Sequence, residues 1–315
     1  MKAAILAAGL GTRLLPLTRV LPKALVPVCH RPLLGIILDQ LAEAGCVQVA
    51  VNTHHLGEEI LHFLGRGGPW GLQVQVSHEP EILGTGGGLR HLARLLGGGP
   101  LLAINADILT DLDFAALFAR RDLEAAATLV VHDRPPYNNV WLNGESRVCG
   151  VGERPAAAVG PPVAYTGIQV VGPQMLDWLP GEGPLDLVAA WRQALAAGVR
   201  LAALKVSGHF WQDVGSRESY LMAHRRLLSG ESPALARLLG PLADPLIPPD
   251  AQVAPGVRFG PGVVLGHRVR VAEEAWLENT VVLDDARLAA GVSLSGCVVA
   301  PGVRVTASAR DEIIV

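Results

Sequence analysis

Apolar and polar positions follow two different periods along this chain, and the change of period divides it. Over the first part, Lys2–Ala8 reads as a buried strand followed by a glycine turn, and Val47–Asn52, Leu72–Ser77, Leu101–Asn105 and Ala126–His132 read as further strands. Between them lie helical patterns. Pro32–Ala44 puts Leu33, Leu34, Ile37, Leu38 and Leu41 on one face, and Gly45 stops it. Leu56–Leu64, Gly87–Leu96 and Asp113–Arg121 read the same way. Strands alternating with helices predict βαβ units, and hence a mostly parallel α/β sheet covered on both faces. Ligands of such sheets bind beyond the carboxyl ends of the strands. Gly9–Arg13, Glu79 and Asp107 each follow a predicted strand, so one shared crevice is expected.

From Arg134 to Gly215 the pattern is irregular and rich in proline and glycine. It reads as an insertion that closes over the sheet and returns to it near Trp211–Gly215. A helix is predicted over Glu218–Leu228. Residues 229–250 carry Pro233, Pro241, Pro245, Pro248 and Pro249 and read as a linker, with a short helix at Ala234–Leu239. Beyond it Val253, Phe259, Leu265, Val271, Leu277 and Leu283 recur every sixth residue. Leu288 and Leu294, then Val299 and Val305, resume that spacing after five-residue steps, and Pro-Gly-Val recurs at 255–257, 261–263 and 301–303. A hexapeptide period is the mark of a parallel β-helix, and at about 18 residues per triangular coil the tail gives roughly three coils. The expected layout is a catalytic domain over 1–228, a linker over 229–250 and a β-helix over 251–315.

Composition narrows the functions. The chain has 315 residues, half of them hydrophobic, enough for a large domain and a smaller module. A net charge of -3 gives no basic field for a nucleic acid. No run of about 18 apolar residues suggests a membrane span, and the short apolar start reads as a first strand, so a cytoplasmic protein is expected. Cys29, Cys46, Cys149 and Cys297 form no C-x-x-C pair, which points away from zinc and disulfides.

The chemistry begins at Leu6-Ala7-Ala8-Gly9-Leu10-Gly11-Thr12-Arg13-Leu14. A strand ending in a glycine loop offers backbone amides to phosphate oxygens. A G-x-G alone also fits a dinucleotide fold, but Leu14 stands where the third glycine would be, and no G-K-[ST] follows. Instead Arg13 is followed by Pro22-Lys23-Ala24-Leu25-Val26-Pro27-Val28. Two cations beside a glycine loop suit a triphosphate.

L-A-A-G-x-G-T-R-L, then Pro16-Leu17-Thr18 and P-K-x-L-x-P-V, resembles the signature of the sugar-1-phosphate nucleotidyltransferases, the NDP-sugar pyrophosphorylases. The resemblance implies a Rossmann-like, mixed and mostly parallel sheet followed by a short left-handed β-helix of hexapeptide repeats. It implies a soluble enzyme joining a nucleoside triphosphate to a sugar-1-phosphate on Mg²⁺ and releasing pyrophosphate. Leu6, Ala8, Gly9, Gly11, Thr12, Arg13 and Lys23 would hold the nucleotide, with Arg13 and Lys23 on its phosphates. Glu79-Pro80 and Leu83-Gly84-Thr85-Gly86-Gly87 are similar to the base-recognition loop, so Glu79, Gly84 and Thr85 join the set. Asn105-Ala106-Asp107 and Trp211-Gln212-Asp213-Val214-Gly215 resemble the two metal motifs, making Asp107 and Asp213 the Mg²⁺ ligands. The alternative reading of Asp107 is a helix N-cap, since Asp111 and Asp113 follow.

On the sugar side, Glu153-Arg154-Pro155 resembles E-K-P, with arginine replacing lysine. Tyr165-Thr166-Gly167-Ile168 and Tyr137-Asn138-Asn139-Val140 resemble pocket-lining segments. Asn139, Glu153, Arg154, Thr166 and Gly167 are therefore the sugar-phosphate candidates. The two-domain layout resembles mannose-1-phosphate guanylyltransferases, which makes GTP and mannose-1-phosphate the expected pair; a uridylyl- or thymidylyltransferase is the alternative. The tail is expected to assemble a homo-oligomer. Two rival readings are a bifunctional enzyme with an acyltransferase tail, for which the short β-helix with His267 as its single histidine is thin, and a sugar-nucleotide sensor without activity.

Overall fold

The computed structural model describes residues 1–65 and 70–315. Its contacts gather into two compact units. One comprises Met1–Gly9, Ile37–Ile108 and Leu112–His209, the other Leu10–Ile36, Leu109–Asp111 and Phe210–Val315. In chain order the strands used below are β1 (Lys2–Leu6), β2 (Gln48–Thr53), β3 (Gln73–His78), β4 (Leu101–Asn105), β5 (Ile108–Thr110), β6 (Ala127–His132), β7 (Val140–Leu142), β8 (Val148–Val151), β9 (Ala164–Val171), β10 (Leu201–Lys205) and β11 (Trp211–Asp213). The helices are α1 (Leu33–Glu43), α2 (Gly57–Gly65), α3 (Gly84–Leu95), α4 (Phe114–Ala119), α5 (Leu187–Ala196), α6 (Arg217–Leu228) and α7 (Pro233–Leu239).

The first unit is built on a seven-stranded sheet in the order β10-β6-β9-β4-β1-β2-β3. All its pairs are parallel except those of β9, which runs antiparallel to β4 and β6. The sheet is mixed and mostly parallel, as expected. One face buries Ala4, Ala50, Ala103 and Leu129 with Leu89, Leu92 and Leu96 from α3 and its end, and Ala190 and Trp191 of α5. Small residues in the middle strands let the helices approach closely.

The segment 134–215 departs from the sequence expectation. It is not an insertion over the sheet: it supplies two sheet strands, β9 and β10, and the helix α5. The β7–β8 hairpin leaves the sheet, and Trp211–Asp213, expected to return to it, pairs instead with Ile108–Thr110 in a separate two-stranded ladder. Every residue of β9 but Tyr165 is buried, so no polar alternation marks it, and Gly167 at φ 84 interrupts its apolar pattern.

In the second unit, three short 3₁₀ turns (Thr12–Leu14, Leu17–Arg19, Lys23–Leu25) lead into a tight hairpin pairing Pro27–Val28 with Arg31–Pro32. Leu14, Leu17, Val26 and Val28 share a core with Phe210, Val214, Tyr220 and Leu227. Ser216 caps α6 in a reciprocal capping box with Ser219, and Ser232 caps α7. The tail is a left-handed parallel β-helix of three sheets with four strands each. That is one coil more than the repeat arithmetic gives, because the last rung, Ala309–Arg310 and Ile313–Ile314, stacks on the coil before it without keeping the sixfold spacing. Alternation along its short strands separates two cores. Leu265, Val282 and Val299 point into the coil, while the in-register column Val264, Val281 and Val298 packs into the core of Leu14 and Tyr220.

Candidate active site

In the first unit a buried polar chain ties the start of the glycine loop to the segment that enters the Gly84–Gly87 loop. The N–H of Ala7, just past β1, donates to Asn52 Oδ1 at 2.7 Å. Asn52 Nδ2 donates to Glu79 Oε1 at 2.7 Å, and the Leu83 N–H donates to Glu79 Oε2 at 2.9 Å. Glu79 is 1% exposed, so both carboxylate oxygens serve inside the protein. A methyl group at Gly88 would lie 2.6 Å from Asn52 Nδ2, which explains a glycine inside α3. Sequence reasoning passed over Asn52; its signal is a polar residue near the carboxyl end of an otherwise apolar strand.

The glycines of Gly84-Thr85-Gly86-Gly87 have a packing reason of their own. A Cβ on Gly84 would sit 2.7 Å from the carbonyl oxygen of Leu185, and one on Gly87 2.9 Å from that of Gly183. The Gly86 and Gly87 N–H groups both donate to the Leu185 carbonyl, and Thr85 Oγ1 accepts from the Leu187 N–H at 3.2 Å. The loop therefore rests on the segment that enters α5.

Asp107 stands two residues past the end of β4. The helix-capping alternative falls to Asp113, whose side chain accepts from the Ala116 N–H at the start of α4. Across the turn, Gly167 is needed because a Cβ there would meet Ile108 Cγ1 at 2.8 Å and Asn105 Nδ2 at 3.3 Å. The hydroxyl of Thr166, wholly buried, donates to the Val130 carbonyl at 2.9 Å.

The remaining sugar-side candidates also gather in this unit. The Gly152 N–H donates to the Asn139 carbonyl at 2.7 Å, which brings the Tyr137–Val140 segment to the loop of Glu153 and Arg154. Trp141 Nε1 donates to the Gly152 carbonyl at 2.8 Å, and the Arg154 guanidinium carbon lies 5.1 Å from the Trp141 ring centroid. Arg192 Nε donates to the Val151 carbonyl at 3.1 Å, placing a further cation beside Gly152. Neither Trp141 nor Arg192 carries a motif.

In the second unit Gly11 adopts φ 63, and a Cβ on it would touch Thr18 Cγ2 at 2.8 Å and Lys23 Cβ at 3.2 Å. Glycine lets the loop lie against the stem of Lys23. Thr18 Oγ1 donates to the Gly11 carbonyl at 3.1 Å, and the Leu14 N–H donates to the same oxygen at 2.9 Å. Arg13 and Asp213 meet, Nη1 to Oδ2, at 3.4 Å. Asp213 is 7% exposed at the end of β11, and a Cβ at Gly215 would fall 2.6 Å from its Oδ1 and 2.9 Å from Arg13 Cζ.

The fit to a divalent ion rests on this donor chemistry. Asp213 presents a hard carboxylate oxygen at a spot kept clear by Gly215. Among the described residues no group of three or more His, Cys, Asp or Glu side chains could hold a metal by itself. A hard divalent cation such as Mg²⁺ commonly takes one or two carboxylates and completes its shell with water and substrate phosphate. Likewise, no helix among the described residues is long and apolar enough to cross a membrane.

A mostly parallel sheet with a glycine loop after its first strand defines an α/β protein of the class that binds ligands beyond the carboxyl ends of its strands. The chain matches the nucleotidyl transferase family over residues 2–230 and belongs to it; it is an enzyme of that class. It is 35% identical over 223 residues to the N-acetylmuramate alpha-1-phosphate uridylyltransferase of Neisseria meningitidis serogroup B, covering 69% of this chain and 94% of that one. It is 29% identical over 299 residues to the mannose-1-phosphate guanylyltransferase of Mycobacterium tuberculosis, covering 92% and 81%. Among solved structures, a putative glucose-1-phosphate thymidylyltransferase from Bacillus anthracis in complex with a sucrose superposes with a TM-score of 0.60 at 22% identity, covering 71% of this chain and 94% of that one. That last likeness is one of fold.

Proposed function

We propose that the chain transfers a nucleoside monophosphate from a nucleoside triphosphate to a sugar-1-phosphate, with Arg13, Lys23, Asp107 and Asp213 as the working groups. The observation that carries the reading is the Arg13–Asp213 contact: two motifs far apart in sequence meet at a cation and a carboxylate. In the proposed reaction a phosphate oxygen of the sugar phosphate forms a bond to the α-phosphorus, and the bond to pyrophosphate breaks. The nucleophile is already an anion, so no residue need remove a proton. What the protein must overcome is repulsion between anions, which positioned cations do best. Arg13 and Lys23 neutralise the triphosphate, and Arg154 holds the sugar's phosphate over the Trp141 ring. Mg²⁺ on Asp107 and Asp213, when bound, stabilises charge on the phosphate oxygens. The amides of Gly9–Thr12 face phosphate, with Leu6 and Ala8 beside the nucleoside. Glu79, its carboxylate engaged internally, shapes the loop of Gly84 and Thr85 against the base. Asn139, Glu153, Thr166 and Gly167 line the sugar side. In this reading residues 1–228 are catalytic, 229–250 link, and 251–315 form an assembling tail.

GTP with mannose-1-phosphate is the pair favoured by the relatives that span the β-helix as well as the catalytic portion, such as the mannose-1-phosphate guanylyltransferase. A second pair, UTP with N-acetylmuramate-1-phosphate, is favoured by the higher identity to the uridylyltransferase in the catalytic portion. Pyrophosphate release from four triphosphates against a panel of hexose-1-phosphates tests both. Release with neither sugar-1-phosphate class would refute the activity, and Lys23→Ala with near-native turnover would refute the role given to Lys23.

A further inference from the structure

The segment that carries Lys23 ends in an unusual turn. Cys29 and His30, the two central residues of the Pro27–Val28/Arg31–Pro32 hairpin, both have left-handed backbone, at φ 45 and φ 72. Asn-Gly or Gly-Gly normally fill such a turn, because side chains there crowd the backbone. A Cys-His pair keeps that shape only if the surroundings impose it.

One face of α6 imposes it. Tyr220 and His224 stand four residues apart and so share a face of the helix. The Tyr220 hydroxyl donates to the Pro27 carbonyl at 2.6 Å. The Cys29 N–H donates to His224 Nε2 at 3.2 Å, so Nδ1 carries the imidazole hydrogen and donates to the Tyr220 carbonyl at 3.0 Å. Both side chains are fully buried. From the β-helix side, His30 Nε2 lies 2.7 Å from the Leu265 carbonyl. α6 begins four residues after Asp213, so the helix that follows the carboxylate's motif also grips the strand leaving Lys23.

We propose that Tyr220 and His224 are positioning residues: they fix the Lys23–Val28 segment relative to Asp213, so that the lysine meets the phosphates in register. The proposal rests on the reading of Lys23 given above. Neither side chain touches substrate. Their effect passes through the carbonyl of Pro27 and the amide of Cys29. A loosened segment still binds triphosphate charge but reaches the reacting geometry less often, so turnover falls while binding changes little.

The test uses the full chain with Tyr220→Phe, His224→Leu and His224→Gln. Glutamine can place an amide oxygen where Nε2 sits. Tyr220→Phe and His224→Leu are expected to lower kcat about tenfold with KM for the sugar phosphate within about twofold. Both are expected to speed amide hydrogen exchange over residues 23–30, and His224→Gln to recover most of both losses. A role in folding alone would lower melting temperature without this kcat-against-KM split and without rescue. Native kcat in folded Tyr220→Phe and His224→Leu overturns the proposal, as does a His224→Gln variant no better than His224→Leu. Lys23→Ala separates the two ideas. Lost turnover there, with native kcat in the α6 variants, sinks the positioning role alone; near-native turnover in Lys23→Ala removes the reading of Lys23 and this proposal with it.

Discussion

Arg13 Nη1 and Asp213 Oδ2 stand 3.4 Å apart although 200 positions separate the residues. The pair is asymmetric: the Arg13 side chain is 61% exposed and that of Asp213 10%. An exposed guanidinium adds little stability through such a contact. In the proposed reaction its weight is functional, since a solvent-facing cation beside a buried carboxylate can turn to a phosphate. Asp213→Asn keeps the shape and removes the charge. We expect turnover to fall by about two orders of magnitude and the Mg²⁺ concentration for half-activity to rise. A Mg²⁺ titration of pyrophosphate release reads both, and an unchanged midpoint with unchanged turnover would show that Asp213 takes no part in metal binding.

Glu79 accepts one hydrogen bond on each carboxylate oxygen, from Asn52 and from the Leu83 N–H. Glu79→Gln turns an amide NH₂ toward one of these donors, leaving a buried donor unmatched at a cost of about 1–3 kcal/mol. The variant should melt lower. It should also raise KM for the triphosphate more than KM for the sugar phosphate, because the glycine loop and the Gly84 loop both hang on this chain. Equal effects on the two KM values would place the network outside the nucleotide side.

Much of this was legible beforehand, for identifiable reasons. The strands β1, β2, β4 and β6 are short, largely apolar runs, β3 alternates valine with polar residues, and the helices between them carry a 3.6-residue stripe. The β-helix was legible because each rung repeats the same inward residue. β9 and α5 were not, since β9 has no alternation and its bulge at Gly167 breaks the run. On the proposed reading the site divides the same way. Arg13, Lys23, Asp107 and Asp213 sit in motifs whose residue types suggest a chemistry. Asn52, Trp141, Arg192, Tyr220 and His224 make contacts that exist only after folding, so no local pattern distinguishes them from core or surface residues.

Gln169 lies at the middle of β9, fully buried, facing the layer of α3 and α5. Among the described residues neither its amide nitrogen nor its amide oxygen has a hydrogen-bond partner. An amide held that way costs about 1–3 kcal/mol. Methionine follows the same unbranched path without polar atoms to satisfy. Gln169→Met should therefore raise the unfolding free energy by about 1 kcal/mol and leave kcat within about twofold. Urea unfolding checks the first and pyrophosphate release the second. A destabilised but active variant would mean that the amide has partners in solution, while a stable, inactive one would give Gln169 a part in the reaction.

His224 links stability to pH. Burial pushes its imidazole down from 6.5 to about 4, the Tyr220 carbonyl opposing this only in part. The folded chain thus holds His224 neutral where the unfolded chain binds a proton. Below the ordinary value of 6.5 the unfolded state gains that proton first, so the stabilisation is complete above pH 6.5 and is lost as pH falls toward 4. The full difference is on the order of 3 kcal/mol. His224→Gln does not titrate. Urea melts of the two proteins at pH 7, 5.5 and 4 should show the wild type losing stability faster, with the gap between them shifting by about 3 kcal/mol across that window. Parallel curves would mean that His224 is charged or hydrated in the native state, and that its bond from Cys29 is not the one described.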